Sequence, residues 1–326
     1  MARMRMLSGV LLGLVALPLA AAVPAGPVES VRLPAELQLW PGTAPGSDGL
    51  EPGWQVVERS SDPHLPDRYV DRIGTPWLQV HRPEKPDGRA LLVIPGGGYQ
   101  RVVMDKEGTA LVPAFAGDDG LTLFVLYYRL PGEGHRRPRD VPLADAQRAI
   151  RLVRLHAAAW GIDPDSVGVM GFSAGGHVAA SLATRHAETV YPAVDVADGL
   201  DPRPAYAVLV YPVIDMGRHA HPGSRERLLG PAPGTAGIQA YSLQNRVDAR
   251  TPPVFLLHAQ DDDAVPVENT LVMEAALRAA GVPHETHLYA HGGHGFGVRE
   301  ARGTLALWPQ LVRAWIDTQA PAAATP

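Results

Sequence analysis

The chain has 326 residues, 46% of them hydrophobic and 19% charged, with a formal net charge of −5. That length can bury a large core within a single α/β domain, while mild acidity and the lack of a Lys/Arg run argue against a nucleic-acid partner. Cysteine is absent, which excludes a disulfide framework, a thiol nucleophile and a thiolate metal site.

At the start of the chain, Arg3 and Arg5 precede an apolar run over 7–19, and Ala20-Ala21-Ala22 supplies an A-x-A cleavage site. Residues 1–22 therefore read as a secretory signal peptide. The run is shorter than the ~20 apolar residues of a spanning helix, which weighs against a membrane anchor. No second long apolar run follows, so the mature chain is expected in the periplasm or the medium, free of the membrane. Residues 23–66 are rich in Pro and Gly with little periodicity and read as an extended N-terminal arm; 67–320 read as the folded domain.

Along that domain, 68–82 holds β-rich segments around Gly74-Thr75-Pro76. Short continuous apolar runs at 90–94 and 121–128 fit strands buried on both faces of a parallel sheet. Residues 144–160 carry helical spacing, with Ala146, Ala149, Ile150, Val153 and Ala157 on one stripe and Gly161 at the end. Further strands are expected at 167–170, 207–211, 254–258 and 286–289, and helices at 176–183, 268–280 and 305–318. This alternation implies an α/β fold, a mostly parallel central sheet with helices on both faces. The Pro/Gly-rich, charged segment 215–250 breaks the alternation. An insertion there would lie over the carboxyl edge of the sheet, as a lid or as an ordinary surface excursion.

The chemistry concentrates in four places. Gly171-Phe172-Ser173-Ala174-Gly175 reads G-x-S-x-G between an apolar strand and a small-residue helix, a turn that thrusts the serine clear of the sheet. A serine hydroxyl needs a base, normally a histidine oriented by a buried carboxylate, and the expected chain order is Ser, acid, His. The loop after 254–258 offers Asp261-Asp262-Asp263, among which elementary physics does not choose. After the next strand comes His291-Gly292-Gly293-His294-Gly295-Phe296-Gly297, whose glycines let an imidazole return over Ser173; His294 is the expected base and His291 the alternative. His177 follows the elbow directly but is expected to point away from the Ser173 hydroxyl. Ile94-Pro95-Gly96-Gly97-Gly98-Tyr99 follows an early strand, and its glycines let backbone N–H groups approach a developing oxyanion. Gly97 and Ala174 are the expected donors, with Gly98 the near alternative; losing one such donor costs ~3–4 kcal/mol of transition-state stabilisation.

Competing chemistries find less support. His219-x-His221 and His291-x-x-His294 lie on no predicted helix, and no H-E-x-x-H is present, so no metal is called for. No feature marks the carboxylate pair of a glycosidase. A prolyl-oligopeptidase-type peptidase would carry a large additional domain, and a non-catalytic carbohydrate-binding protein would have no need of the serine, acid and histidine in order.

Taken together, several stretches resemble one family: Leu39-Trp40-Pro41-Gly42, Pro95-Gly96-Gly97-Gly98-Tyr99, Tyr128-Arg129-Leu130, Pro142-Leu143-Ala144-Asp145, Arg148-Ala149-Ile150-Arg151, 171–177, Thr251-Pro252-Pro253-Val254-Phe255, the aspartate loop and 293–297. They are similar to the secreted acetyl-xylan-esterase-like branch of the α/β-hydrolases, which includes bifunctional feruloyl/acetyl-xylan esterases. The resemblance covers nearly the whole mature chain. It selects Asp262 through the H-G-x-x-D-x-x-V-P register, and implies Ser173 as nucleophile, Asp262 as orienting acid and His294 as general base. It implies no cofactor, and an acylated polysaccharide or oligosaccharide as substrate. Where the hormone-sensitive-lipase-like branch has His-Gly-Gly-Gly, Pro95 stands here, and the hydrogen bonds that histidine would make to shape the loop are lost. Tyr99 beside that loop, and Trp40 if the arm reaches the site, offer faces to a sugar or else serve packing.

Overall fold

In the computed structural model, which describes residues 35–117 and 120–319, the apolar runs become strands of one sheet. The expected signal peptide over 1–22 lies outside the described residues. In chain order the strands are β1 (Glu36–Gln38), β2 (Gln55–Glu58), β3 (Arg68–Asp71), β4 (Trp77–His81), β5 (Ala90–Ile94) and β6 (Val102–Val103). They continue with β7 (Thr122–Tyr127), β8 (Val167–Phe172), β9 (Ala207–Val210), β10 (Val254–Ala259) and β11 (His284–Tyr289). The helices are α1 (Val112–Phe115), α2 (Val141–Leu155), α3 (Ala157–Trp160), α4 (Ser173–Arg185), α5 (Pro222–Leu229), α6 (Thr235–Tyr241), α7 (Glu268–Ala279) and α8 (Trp308–Gln319).

The main sheet has eight strands in the order β1-β4-β7-β5-β8-β9-β10-β11. The pairs from β7 to β11 are parallel, and β1 and β4 close one edge antiparallel. Every residue of β5, β7, β8, β9 and β10 is buried, as strands covered by helices on both faces require. The helix expected over 144–160 starts earlier, at Val141, and breaks at His156 into α2 and α3; Gly161 then ends α3 in the left-handed region at φ 67°.

The described part of 23–66 departs from an extended arm. β1 adds to the main sheet with Leu37 opposite Leu78, and β2 pairs with β3 in a separate antiparallel sheet of order β2-β3-β6. Strands of three and four residues take their stability from partners remote in sequence, so local composition hides them.

The insertion between β9 and β10 carries α5, α6 and a short 3₁₀ turn at Leu243–Asn245. Asp215 gathers its two ends, accepting from the N–H groups of Gly217 and His219, the Ser242 hydroxyl and the Gln244 amide. Burial raises the Asp215 pKa and these four bonds lower it, leaving it below the ordinary carboxylate value.

Candidate active site

β8 runs directly into α4, and the residue at the junction is Ser173. Its φ of +52° places a non-glycine residue in the left-handed region, a conformation that persists only where neighbours enforce it. Those neighbours are backbone. A Cβ on Gly175 would stand 2.2 Å from the Ile94 carbonyl oxygen and 2.3 Å from that of Pro95. A Cβ on Gly171 would stand 2.3 Å from the Gly175 oxygen, and one on Gly96 would stand 2.8 Å from the Ser173 Cβ. The glycines thus let the ends of β5 and β8 and the start of α4 meet at van der Waals distance.

Ser173 Oγ lies 2.9 Å from His294 Nε2, and His294 Nδ1 lies 2.7 Å from Asp262 Oδ2. All three residues follow the carboxyl ends of parallel strands, where open α/β sheets bind ligands. Since Asp262 accepts at Nδ1, that nitrogen carries the proton and Nε2 is free to take one from the serine. Asp262 is well held: Oδ1 accepts from the N–H groups of Ala264 and Val265, and Oδ2 also lies 3.1 Å from Nε2 of the buried His258. Burial pushes the Asp262 pKa up, but the hydrogen bonds from His258, His294 and Val265 outweigh it and hold the carboxyl well below its usual range. Asp261 turns outward instead, accepting from the N–H groups of Gly292 and Gly293 and lying 3.3 Å from the Nδ1 of His291, whose side chain is 90% exposed. Asp261 and His291 therefore brace the histidine loop from outside.

The glycine loop lies beside this chain of bonds. Gly97 and Gly98 have φ of 134° and 65°, and a Cβ on Gly97 would meet the Arg101 carbonyl oxygen at 2.2 Å. Among the described residues the N–H groups of Gly97 and Gly98 give to no acceptor, and Ala174, second in α4, belongs to the first turn whose N–H groups lack intrahelical partners. Three anchors hold the loop in place of the missing histidine. The Gly96 N–H donates to Glu107 at 2.7 Å, the Tyr128 hydroxyl donates to the Pro95 oxygen at 3.1 Å, and the Tyr99 hydroxyl meets His177 Nδ1 at 2.7 Å. His177 Nε2 faces the Tyr241 carbonyl and must donate to it, so Nδ1 accepts from Tyr99. Burial then keeps the imidazole neutral, pushing its pKa down to about 4.

Glu107 was invisible in the sequence and ties the parts together. Its other oxygen accepts from the Tyr211 hydroxyl at 2.9 Å, and that hydroxyl accepts in turn from the Gly297 N–H. The Tyr211 ring also stands edge-on to His294 and Phe296. One buried carboxyl thereby links the glycine loop to the histidine loop. Burial raises its pKa, partly offset by the bonds from Gly96 and Tyr211. No motif flags a lone glutamate eleven residues past the glycine it holds.

Of the two alternatives for Tyr99 and Trp40, a sugar contact or packing, the structure corrects the first and favours the second. Tyr99 is buried, its hydroxyl on His177 and its ring edge-on to that imidazole, so it shapes the loop from beneath. Trp40 is buried too, its Nε1 donating to Asp145 and its ring packed against Arg129, Arg148 and Tyr191. Neither presents a face to a ligand.

Above Ser173 opens a cavity of about 450 Å³. The insertion contributes His221, Gly223, Glu226 and Arg227 to its wall; the glycine loop contributes Gly97 and Gly98. His221, read in sequence only as half of a H-x-H pair, caps α5 by accepting the Ser224 N–H at Nδ1. Its ring reaches toward Gly98 with Nε2 protonated. Arg59 and Arg101, both in the lining, each place a guanidinium over the Tyr69 ring, 5.6 and 5.1 Å from its centroid.

A strained serine, an imidazole of fixed tautomer, a carboxylate and free N–H groups beside them have the geometry expected of a nucleophile elbow, and the fold is that of an α/β-hydrolase. The BD-FAE family model matches residues 78–277, and the chain belongs to that family. The dienelactone hydrolase family model matches 234–324. An acetylxylan esterase from Xylanibacter ruminicola is 37% identical over 220 residues, 66% of this chain and 42% of the relative. Endo-1,4-beta-xylanase B from Butyrivibrio fibrisolvens is 36% identical over 64% of this chain and 32% of its own length. The chain thus spans less than half the length of these two curated relatives. Among solved structures, an acetyl ester-xyloside bifunctional hydrolase from Caldicellulosiruptor lactoaceticus superposes with TM-score 0.65 at 33% identity, covering 83% of this chain and 98% of that one. An esterase from Thermogutta terrifontis, solved with propionate bound, superposes with TM-score 0.60 at 26% identity, over 84% and 97%.

Proposed function

We propose that the protein is an exported serine carboxylic-ester hydrolase that removes acetyl groups from xylan or a related hemicellulose. The observation that carries this reading is the continuous bond from Ser173 Oγ through His294 to Asp262, 2.9 and 2.7 Å long, on the floor of an open cavity. The names of the relatives supply the substrate class: an acetylxylan esterase and a hydrolase of acetyl ester-xyloside. In this reading 1–22 is removed on export, the catalytic domain expected over 67–320 also takes in β1 and β2, and 215–250 is its lid, lending His221 and Arg227 to the cavity wall.

His294 Nε2 takes the Ser173 proton as the hydroxyl attacks the ester carbonyl. The tetrahedral oxyanion sits against the N–H groups of Gly97 or Gly98 and Ala174. His294 then returns the proton to the departing sugar oxygen, and the acyl group remains on Ser173. Water, deprotonated by the same imidazole, attacks the acyl-enzyme and releases the acid. Asp262 keeps its charge throughout and stabilises the imidazolium. Every bond is made and broken by side chains and water, so the cycle needs no cofactor.

The test is acetate and ferulate release from native xylan, measured side by side. Wild-type protein should release acetate, and Ser173→Ala should lose the activity by several orders of magnitude. Full activity in Ser173→Ala, or ferulate released in preference to acetate, overturns the reading at the residue or at the substrate respectively.

A further inference from the structure

A second cavity, of about 480 Å³, opens at the far end of the small β2-β3-β6 sheet and shares no lining residue with the cavity over Ser173. Its most exposed large apolar side chain is Trp54, at 45%. One face of that indole lies on Trp77, with ring centroids 4.3 Å apart, and Trp77 stacks in turn on Tyr127 at 4.4 Å. Trp54 thus packs, tilted by 31°, on the Trp77–Tyr127 stack and keeps exposed surface at the cavity.

The polar wall is built. His135 is 95% buried, and its Nδ1 lies 2.9 Å from Ser47 Oγ, which accepts from the Arg129 guanidinium. Ser47 Oγ already accepts from that guanidinium, and among the described residues Nδ1 is the one acceptor its hydrogen has, so the hydrogen goes to Nδ1 and the neutral imidazole carries its proton on Nε2. His135 Nε2 is buried without a hydrogen-bond partner among the described residues. It stands 4.0 Å from Glu133 Oε2. Glu133 is itself fixed by the N–H groups of Arg72 and Ile73. A single hydroxyl seated about 2.8 Å from each can accept from His135 and donate to Glu133. Arg72, Glu51 and Gln55 complete a lining that carries both signs of charge, which suits a neutral polyhydroxylated ligand over an ion.

β2 connects the two cavities. Gln55 at its start lines the Trp54 cavity, and Arg59 just past its end lines the cavity over Ser173. Four residues of strand span about 13 Å, a few sugar units of an extended glycan.

We infer that the Trp54 cavity is a second glycan-binding subsite, in which the indole stacks on a neutral pyranose and the His135–Glu133 pair bridges one of its hydroxyls, so that one polysaccharide chain is held along β2 with its acyl group at Ser173. The assignment rests on the proposed polysaccharide-ester substrate and adds where the chain beyond the scissile ester is gripped.

The test compares Ser173→Ala with Ser173→Ala/Trp54→Ala for retention on insoluble xylan and for titration with xylo-oligosaccharides. Binding should fall about tenfold on loss of the indole. In the active protein, Trp54→Ala should raise KM on acetylated xylan by about the same factor with kcat kept, while turnover of p-nitrophenyl acetate stays within about twofold. Unchanged binding and KM in a Trp54→Ala protein with the wild-type melting temperature overturn the subsite. If Trp54→Ala fails to fold, Trp54→Leu replaces it: the branched side chain keeps apolar cover over Trp77 but has no flat face for a pyranose, and undiminished xylan binding in that variant likewise overturns the proposal. A wild-type protein that binds xylan through Trp54 but releases no acetate leaves the subsite standing and sinks the catalytic reading. Acetate release indifferent to Trp54 does the reverse.

Discussion

Asp261 and Asp262 are neighbours with opposite orientations. Asp262 faces inward to His294, while Asp261 faces outward to the N–H groups of Gly292 and Gly293. In the proposed mechanism the inward residue fixes the tautomer of the base and offsets its developing charge, while the outward one only steadies the loop. Asp262→Asn should therefore lower kcat on an activated acetyl ester by about 10³–10⁴-fold, because an amide can present N–H to Nδ1 and stabilise the wrong tautomer. Asp261→Asn keeps an acceptor for the two glycine N–H groups and should cost at most about tenfold, the rate equivalent of one ordinary hydrogen bond. Steady-state kinetics on the two variants check the assignment, and equal losses would remove the distinction. In the sequence these aspartates differ only by register against a family pattern. What separates them physically is the chain direction after Ala259, a tertiary property. The same holds for Glu107, which reaches the histidine loop through Tyr211, 104 residues away along the chain.

At the scale of elements, the legible parts were those whose sequence carries their environment. β5, β7, β8 and β10 are buried on both faces and so read as unbroken apolar runs. α4 starts at Ser173, three residues before the expected 176, so Gly175 and Gly176 both lie in its first turn although glycine has low helix propensity. Their place in the helix comes from the backbone packed against them: a Cβ on Gly176 would lie 2.8 Å from Pro212, and one on Gly175 would strike two carbonyl oxygens. Gly175→Ala should thus force β5 and α4 apart, lowering stability by about 1–3 kcal/mol and displacing Ser173 from His294. Gly42→Ala, at a glycine with open space around it, is the control and should stay within about 0.5 kcal/mol. Urea denaturation of both variants, with kcat on the folded protein, measures the two effects; a Gly175→Ala protein as stable and active as wild type would contradict the packing argument.

Across the whole molecule, the described part of the N-terminal segment is fastened to the sheet by charge. Asp145 on α2, wholly buried, accepts from Trp40 Nε1 and from the backbone, Nε and Nη2 of Arg129. Arg129 also donates to the Pro45 oxygen and the Ser47 hydroxyl, and Arg148 donates to the Leu39 oxygen while pairing with Asp195 and Asp198. Residues 39–47, the end of β7, α2 and the 195–198 turn thereby converge on one buried polar cluster. It adjoins the site, since Tyr128, next to Arg129, holds the Pro95 carbonyl of the glycine loop. The sequence left Trp40 open between a sugar contact and packing; packing holds, and no local pattern could show it because its indole N–H partner lies 105 residues away. Asp145→Ala leaves the Arg129 guanidinium buried beside a missing partner and should cost about 3–5 kcal/mol of unfolding free energy. Replacing the whole pair, as in Arg129→Met/Asp145→Leu, removes that uncompensated charge and should be less damaging than Asp145→Ala alone, because a buried pair exchanged for apolar groups is often near neutral. It should still fall short of wild type, since the Pro45 carbonyl, the Ser47 hydroxyl and the Trp40 indole lose their partners with it. Chemical denaturation of the three proteins orders them wild type, double variant, Asp145→Ala; a double variant less stable than Asp145→Ala would show that Arg129 fastens the segment mainly through Pro45 and Ser47 and not through its carboxylate.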